Sequence, residues 1–309
     1  MGTGRHPQLY FEDGTMTIKA SDGTLYNVYR APLIRQSEFC SAMLTLPNPK
    51  QPPLSLTQNA REWFERSRQL GLEGTSDATA LPLPEQFTPS EIEKFLDFMF
   101  LQPWSPNAPS IDTACAILKL SHFLVVDNGI SYARHHLDNH EDLKAVMRLK
   151  LGFDYHFVDW ITRGFDELVA TPIIDLSAEE ETLIGWIAYR ALARAQAEVL
   201  DARLNLAVAR IPDVNHCNWC SNHSNCQSEW ARMWTSVKGV LGALIKEELP
   251  GSEILEKLST YNHGAMNVEC HRRTCDGLKD TEEKVSILRE EEAIIDKHAT
   301  ELMRQLGIA

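Results

Sequence analysis

Residues Thr15–Leu46 read TMTIKASDGTLYNVYRAPLIRQSEFCSAMLTL, and the spacing of their apolar side chains changes along the stretch. From Thr15 to Ser21 apolar and polar residues alternate, which is the two-residue repeat of a strand with one buried face. Asp22-Gly23 predicts a tight turn, because glycine tolerates the positive φ that hairpin turns require. Thr24–Tyr29 is then predicted to be the partner strand of a β-hairpin.

The second half of the stretch predicts two short helices. Pro32 pre-sets the φ of a first helical turn. The residues that follow near helical spacing are Leu33, Ser37, Cys40 and Leu44, with Phe39 and Met43 adding apolar bulk. A strand hairpin therefore leads into a helical hairpin.

Three further helices are predicted before residue 142. Thr88 suits the N-cap of the first, Pro89 its first position, and Glu91 completes a capping box. Its apolar face is formed by Ile92, Phe95, Leu96, Met99 and Phe100. The second helix begins near Ile111, and the third runs from about Ile130 to Asn139.

The segment 47–85 is predicted to be an expanded loop, because it is rich in Pro, Gly, Ser and Thr. Within it, Ala60–Gln69 predicts a short helix. Ala80–Pro84 predicts a strand at the edge of the sheet, since proline has no N–H to donate to a neighbouring strand.

These residues resemble the start of a BTB/POZ domain in Tyr29-Arg30, Leu33, Ser37-Glu38-Phe39 and Met43 after a strand hairpin. Many members of that family carry His-Lys or His-Arg where this chain has Tyr29-Arg30. The resemblance covers about Thr15–Glu141 apart from the loop. It implies homo- or hetero-association, with a homodimer through this domain, and in some members recruitment of a cullin-type ubiquitin ligase. The alternative is another small α+β domain that opens with a hairpin.

Beyond Asp142 the pattern predicts helices alone. Ser177 and Glu180 form a second capping box ahead of an Ala-, Leu- and Arg-rich helix over Leu183–Arg210. Trp160, this acidic cap and Leu183-Ile184-Gly185 resemble the helical extension of BTB proteins from mushroom-forming fungi. A last helix from Asp280 carries an apolar seam that is predicted to dock on the helical domain.

The predicted fold class is therefore α+β. The domain organisation is a tail over 1–14, a BTB/POZ-like domain over 15–142 and an all-α domain over 143–309.

Five of the seven cysteines lie between Cys217 and Cys275. A chain with no apolar signal segment at its N-terminus is expected to use such a cluster for metal binding before disulfides. Two thiolates in Cys-x2-Cys reach one tetrahedral ion from a single turn. The predicted ligands of a structural Zn²⁺ are Cys217, Cys220, Cys270 and Cys275.

Several residues can replace one of these ligands: Cys226 first, then His216, His223 or His271. Ser228–Glu248 predicts a helix between the Cys217–Cys220 turn and a second loop that carries Cys270 and Cys275. The alternative interpretation is five unligated thiols in a Trp-rich core. Cys40 and Cys115 fall on apolar helix faces and are predicted to be core residues.

The net charge of −13 opposes phosphate binding, so nucleic acid is not an expected partner. No apolar run reaches the length of a membrane span, and the expected location is the cytoplasm or nucleus. No catalytic motif is present, so the chain is predicted to be an interaction protein and not an enzyme. The alternatives are a transcription-associated regulator whose Cys/His region contacts nucleic acid or a protein, and a zinc hydrolase if three ligands and solvent hold the ion.

Overall fold

The computed structural model describes residues 4–45, 57–69, 74–100, 108–236, 239–245, 249–260, 264–279 and 288–308. The chain divides into two units, Met1–Leu143 and Lys144–Ala309. A small four-stranded sheet lies in the first unit, and the other described elements are helices. The α+β fold class is confirmed at this level.

The sheet has the order β1-β3-β2-β4. Its strands are β1 (Arg5–Tyr10), β2 (Met16–Lys19), β3 (Leu25–Val28) and β4 (Leu81–Pro82). The predicted hairpin is confirmed: β2 and β3 pair antiparallel, and Gly23 in their turn has a φ of 94°. The predicted edge strand is also confirmed, because β4 pairs with β2 alone and runs parallel to it.

The predicted N-terminal tail over 1–14 is wrong at β1. This strand pairs parallel with β3, and its own residue Leu9 is fully buried. The sequence RHPQLY has no two-residue alternation and contains Pro7, so its pairing depends on a distant strand and not on a local pattern.

Among the described residues of the first unit, six α-helices follow the hairpin: α1 (Arg30–Gln36), α2 (Glu38–Thr45), α3 (Gln58–Gln69), α4 (Pro89–Phe100), α5 (Ile111–Leu124) and α6 (Asp127–Asp138). The capping box of α4 is confirmed, because the Thr88 N–H donates to Glu91 Oε2 at 2.8 Å and the Glu91 N–H donates to Thr88 Oγ1 at 3.2 Å. Most of the predicted loop outside α3 and β4 lies beyond the described residues.

The second unit contains α7 (Ala145–Tyr155), α8 (Val158–Val169), α9 (Ala178–Val208), α10 (His223–Thr235), α11 (Val240–Ile245), α12 (Gly251–Thr260), α13 (Val268–Asp276) and α14 (Glu290–Gln305). The single helix predicted over Ser228–Glu248 is wrong, because α10 ends at Thr235 and a turn precedes α11. The start of the predicted last helix at Asp280 lies outside the described residues.

Two hydrophobic cores organise the second unit. One is formed by α7, α8, α9 and α14. The other surrounds Trp230 and Trp234 of α10 and takes side chains from α11, α12 and α13. The clustered cysteines belong to this second core, which we call the cysteine-rich core.

Candidate metal centre

Three short segments bring His216 and the clustered cysteines close together. His216–Cys220 form a turn after α9, which the Cys220 N–H closes by donating to the Cys217 carbonyl at 3.1 Å. Cys226 lies in the first turn of α10, and Cys270 lies in the first turn of α13. The side chain of Asn267 caps α13 and accepts the Cys270 N–H. Thiolates are favoured at helix N-termini, where the backbone N–H groups and the helix dipole are positive.

Four possible ligand atoms meet at this point, and all lie within 4.8 Å of one another. They belong to His216, Cys220, Cys226 and Cys270. The Sγ atoms of Cys220 and Cys226 are 3.7 Å apart. A tetrahedral zinc with Zn–S bonds of about 2.3 Å places its sulfur ligands about 3.8 Å apart, so this edge already has the length that an ion requires.

The imidazole of His216 is suited to bind a metal. Its Nδ1 is buried and has no hydrogen-bond partner among the described residues. Burial, with the neighbouring His223, lowers the pKa of His216, and this favours the neutral ring that can donate a lone pair. The His223 ring stacks on it with centroids 4.1 Å apart and holds its plane.

Backbone N–H groups point at the sulfur atoms. The Cys217 N–H lies 3.2 Å from Cys270 Sγ, and the Asn267 N–H lies 3.4 Å from Cys226 Sγ. Burial alone would raise the pKa of Cys220, but the Asn222 N–H and the nearby thiols outweigh it, and the pKa is lowered. Burial raises the pKa of Cys270, with the Cys217 and Cys220 thiols adding to the effect. A bound cation would stabilise the thiolate form of Cys270 and so oppose this rise in its pKa.

The structure brings together two of the four predicted ligands, Cys220 and Cys270. Cys217 lies outside the four-residue group, although its Sγ is 3.6 Å from that of Cys270. Cys275 is also outside the group, and its Sγ lies 3.6 Å from His271 Nε2. Cys226 and His216, which sequence analysis named as substitutes, take the two places.

The position of Cys275 has a simple physical reason. The predicted loop at Cys270 and Cys275 is wrong, because both residues lie on α13. Five residues turn a helix through about 500°, so the two thiols point about 140° apart and cannot share one ion. His271 and Cys275 are four residues apart and therefore meet on another face.

The geometry allows one chemical conclusion: the donor set fits a metal ion held entirely by side chains. If His216, Cys220, Cys226 and Cys270 all bound one ion, they would complete a four-coordinate shell and leave no position for a reacting water. The surrounding wall is apolar, with Trp230 fully buried and its Nε1–H donating to the Pro212 carbonyl at 2.9 Å.

Among the described residues, none of the helices combines the length and apolar content needed to cross a bilayer. Comparison of the chain with protein-family models, curated proteins and solved structures found no significant match.

Proposed function

We propose that this protein works by binding other proteins and that it is not an enzyme. In this proposal the first unit is a BTB/POZ-like association module, and the second unit is a helical domain held together by structural zinc. The observation that carries the proposal is the order of elements in the first unit. After β1, a strand hairpin leads into a helical hairpin and then α3, the short strand β4 pairs parallel with the first hairpin strand, and α4, α5 and α6 follow.

The residues on which the resemblance rests have structural roles that support this proposal. Leu33 and Phe39 are buried in the core of the first unit. The Ser37 hydroxyl donates to the Leu124 carbonyl and accepts the Cys40 N–H, which ties the helical hairpin to α5. Tyr29 is partly exposed and donates to Asp13. The departure from the family pattern at Tyr29-Arg30 therefore falls at the surface of the unit.

Zinc is the ion that the donor set favours. Thiolate and imidazole ligands in a tetrahedral arrangement are typical of structural zinc sites. A shell of four side chains also argues against the zinc hydrolase, since catalysis needs an open position for water.

Nucleic-acid binding is less well supported. Arg272 and Arg273 are the basic pair beside the cysteines, and both lie against Glu269 at 2.7 and 3.0 Å. Arg272 also contacts Asp276 at 2.8 Å. A phosphate would have to displace these carboxylates in a chain whose net charge is −13.

The first test asks which unit associates. Equal amounts of chain carrying natural and heavy nitrogen isotopes are mixed, cross-linked and digested, and peptides that contain both labels identify contacts between copies. We expect such peptides within residues 4–143. A chain that sediments as a monomer, or mixed-label peptides from residues 144–309 alone, would contradict homodimerisation through the first unit. Capture of a cullin-type scaffold by the full chain, lost when the first unit is altered, would support the adaptor role; no capture would remove it.

A further inference from the structure

Helix α9 is apolar on two opposite faces. One face packs in the second unit, and its buried residues are Ala188, Leu192, Ala195 and Val199. The opposite face carries residues spaced by three and four, which we call the outer stripe: Trp186, Arg190, Ala193, Ala197, Leu200, Leu204 and Val208.

The outer stripe is open in the structure. Trp186 is 70% exposed and Val208 is 84% exposed, while Leu200 and Leu204 are more than half exposed. A surface helix normally presents polar residues on the face opposite its core. An apolar stripe of about 33 Å along one helix therefore indicates a surface that another helix covers.

We propose that the outer stripe binds the outer stripe of a second copy of this chain, with the two α9 helices antiparallel and a two-fold axis beside Ala197. This contact is separate from the association proposed for the first unit. The small side chains of Ala193 and Ala197 let the two helices approach closely at the centre.

The charges beside the stripe select this occupant. Arg194 and Asp201 lie on the same edge of the stripe, seven residues apart and about 20° apart around the helix. They are symmetric about the point between positions 197 and 198. In an antiparallel pair centred there, Arg194 faces the partner's Asp201, and Asp201 faces the partner's Arg194. In a parallel pair the Arg194–Asp201 edges of the two copies would lie on opposite sides of the contact, so neither ion pair could form.

The apolar residues agree with the same register. Leu200 falls beside the partner's Ala193, Leu204 beside the stem of the partner's Arg190, and Val208 beside the partner's Trp186. The two copies would together bury roughly 1,000 Å², near the lower limit for a specific interface.

The experiment introduces a thiol at the axis of the full-length chain. Ala197→Cys places two thiols within disulfide reach across the axis. The matched control is Glu179→Cys, which is exposed on the same helix but far from the axis. We expect mild oxidation to link copies of the first variant, with the wild-type chain as the baseline for its native cysteines.

Charge reversal then tests the register. In the Ala197→Cys background, Arg194→Asp or Asp201→Arg alone should slow linking at least about fivefold, because each reversal acts twice across the axis. The two reversals together should restore it. Each variant's thermal melt verifies folding, and the restored double variant excludes misfolding as the cause. The proposal would be overturned if Ala197→Cys did not link copies, or if the charge reversals left the rate of linking unchanged. The outer stripe would then bind another part of the chain or a different protein.

Discussion

Within the cysteine-rich core, position along a helix distinguishes the candidate ligands Cys226 and Cys270 from Cys275. Cys226 and Cys270 lie in first turns, where the positive end of the helix dipole favours a thiolate. Cys275 is the last residue but one of α13, where carbonyl groups oppose negative charge. Burial raises the pKa of Cys275 to about 11, with Asp276 adding to the effect. Cys40 also has its pKa raised to about 11 by burial and is confirmed as a core residue, whereas Cys115 is only half-buried.

The first prediction separates the ligand set of the structure from the one expected from sequence. Cys226→Ser should remove most of the zinc, because a serine hydroxyl is a poor ligand at neutral pH. Cys275→Ser is the matched control, since it removes a buried thiol of the same core and should keep about one zinc per chain. Elemental analysis of the purified variants measures the difference. Loss of zinc in Cys275→Ser with retention in Cys226→Ser would restore the sequence-based set.

The second prediction concerns the fourth ligand. His216 belongs to the group within 4.8 Å, whereas the Cys217 thiol contacts Cys270 and the Asn267 side chain. In the cobalt-substituted chain, His216→Ala should change the visible spectrum and lower affinity by about tenfold or more, as loss of a ligand does. Cys217→Ser should leave the spectrum unchanged. The opposite pair of results would make Cys217 the ligand and His216 its neighbour.

Helix boundaries in this chain follow local signals where those signals exist. The Ser177 hydroxyl accepts the Glu180 N–H at 3.2 Å, and α9 begins where that capping box predicts. Thr88 does the same for α4. Strand β1 has no such local signal in its sequence. It forms by pairing with β3, which is distant along the chain. Helix α13 is short and its N-cap is Asn267, a residue that also favours loops, so the spacing of its cysteines was assigned to a loop. The ligand set could not be predicted without knowing that helix.

A glycine interrupts α9 near its start. Gly185 has φ 78° and ψ 162°, a conformation that is essentially restricted to glycine. An added Cβ would meet nothing within 4 Å, so Gly185→Ala tests backbone strain alone. It should lower the free energy of unfolding by about 1–3 kcal/mol, measured by denaturant titration.

The control for that change is Gly277→Ala. Gly277 has helical angles, and its added Cβ would make ordinary contacts at 3.4 and 3.5 Å. The substitution should be neutral or stabilise by up to about 1 kcal/mol. If Gly185→Ala is as stable as this control, the break in α9 is not fixed by backbone preference.

The capping box of α4 predicts a pH effect in the first unit. Burial alone would raise the pKa of Glu91, but hydrogen bonds from Lys119 and Thr88 outweigh it and the pKa is lowered. Stability from a carboxylate with a depressed pKa is present above its unfolded pKa, about 4.3, and is lost as the pH falls through the folded value.

Glu91→Gln should therefore weaken the loss of stability between about pH 5 and 3, by no more than about 1 kcal/mol because the ion pair is partly solvated. Glu65→Gln, a change to an exposed glutamate of α3, is the control and should leave that slope unchanged. Denaturant titrations across this range measure both. An unchanged slope in Glu91→Gln would mean that the capping box does not carry the effect.

In the part of the chain that the structure describes, buried hydrophobic side chains form one core in the first unit and two in the second, and the candidate ligand cysteines belong to one of these three. Sequence patterns and capping motifs sufficed to predict the α+β class and the helices of the second half. Which helices share a core was not predictable, because α9 and α14 are far apart in sequence yet pack together. Leu206 of α9 and Leu288 join the cysteine-rich core, so that core is linked to its neighbour within the second unit.

Removal of the proposed zinc should therefore disturb one core first. Structural zinc in small peptides contributes on the order of 10 kcal/mol to folding, because the ligands meet only in the folded chain. When a chelator removes the ion, backbone amides of α10 and α13 should exchange hydrogen much faster than in the zinc-bound chain, since both helices carry candidate ligands in their first turns. The β2–β3 hairpin should exchange at its original rate, because its core contains no proposed ligand. Hydrogen exchange read by mass spectrometry, with zinc restored in a parallel sample, resolves the three cores. Equal protection of α10 and α13 with and without chelator would show that these helices fold without an ion and that the thiols serve as packing groups.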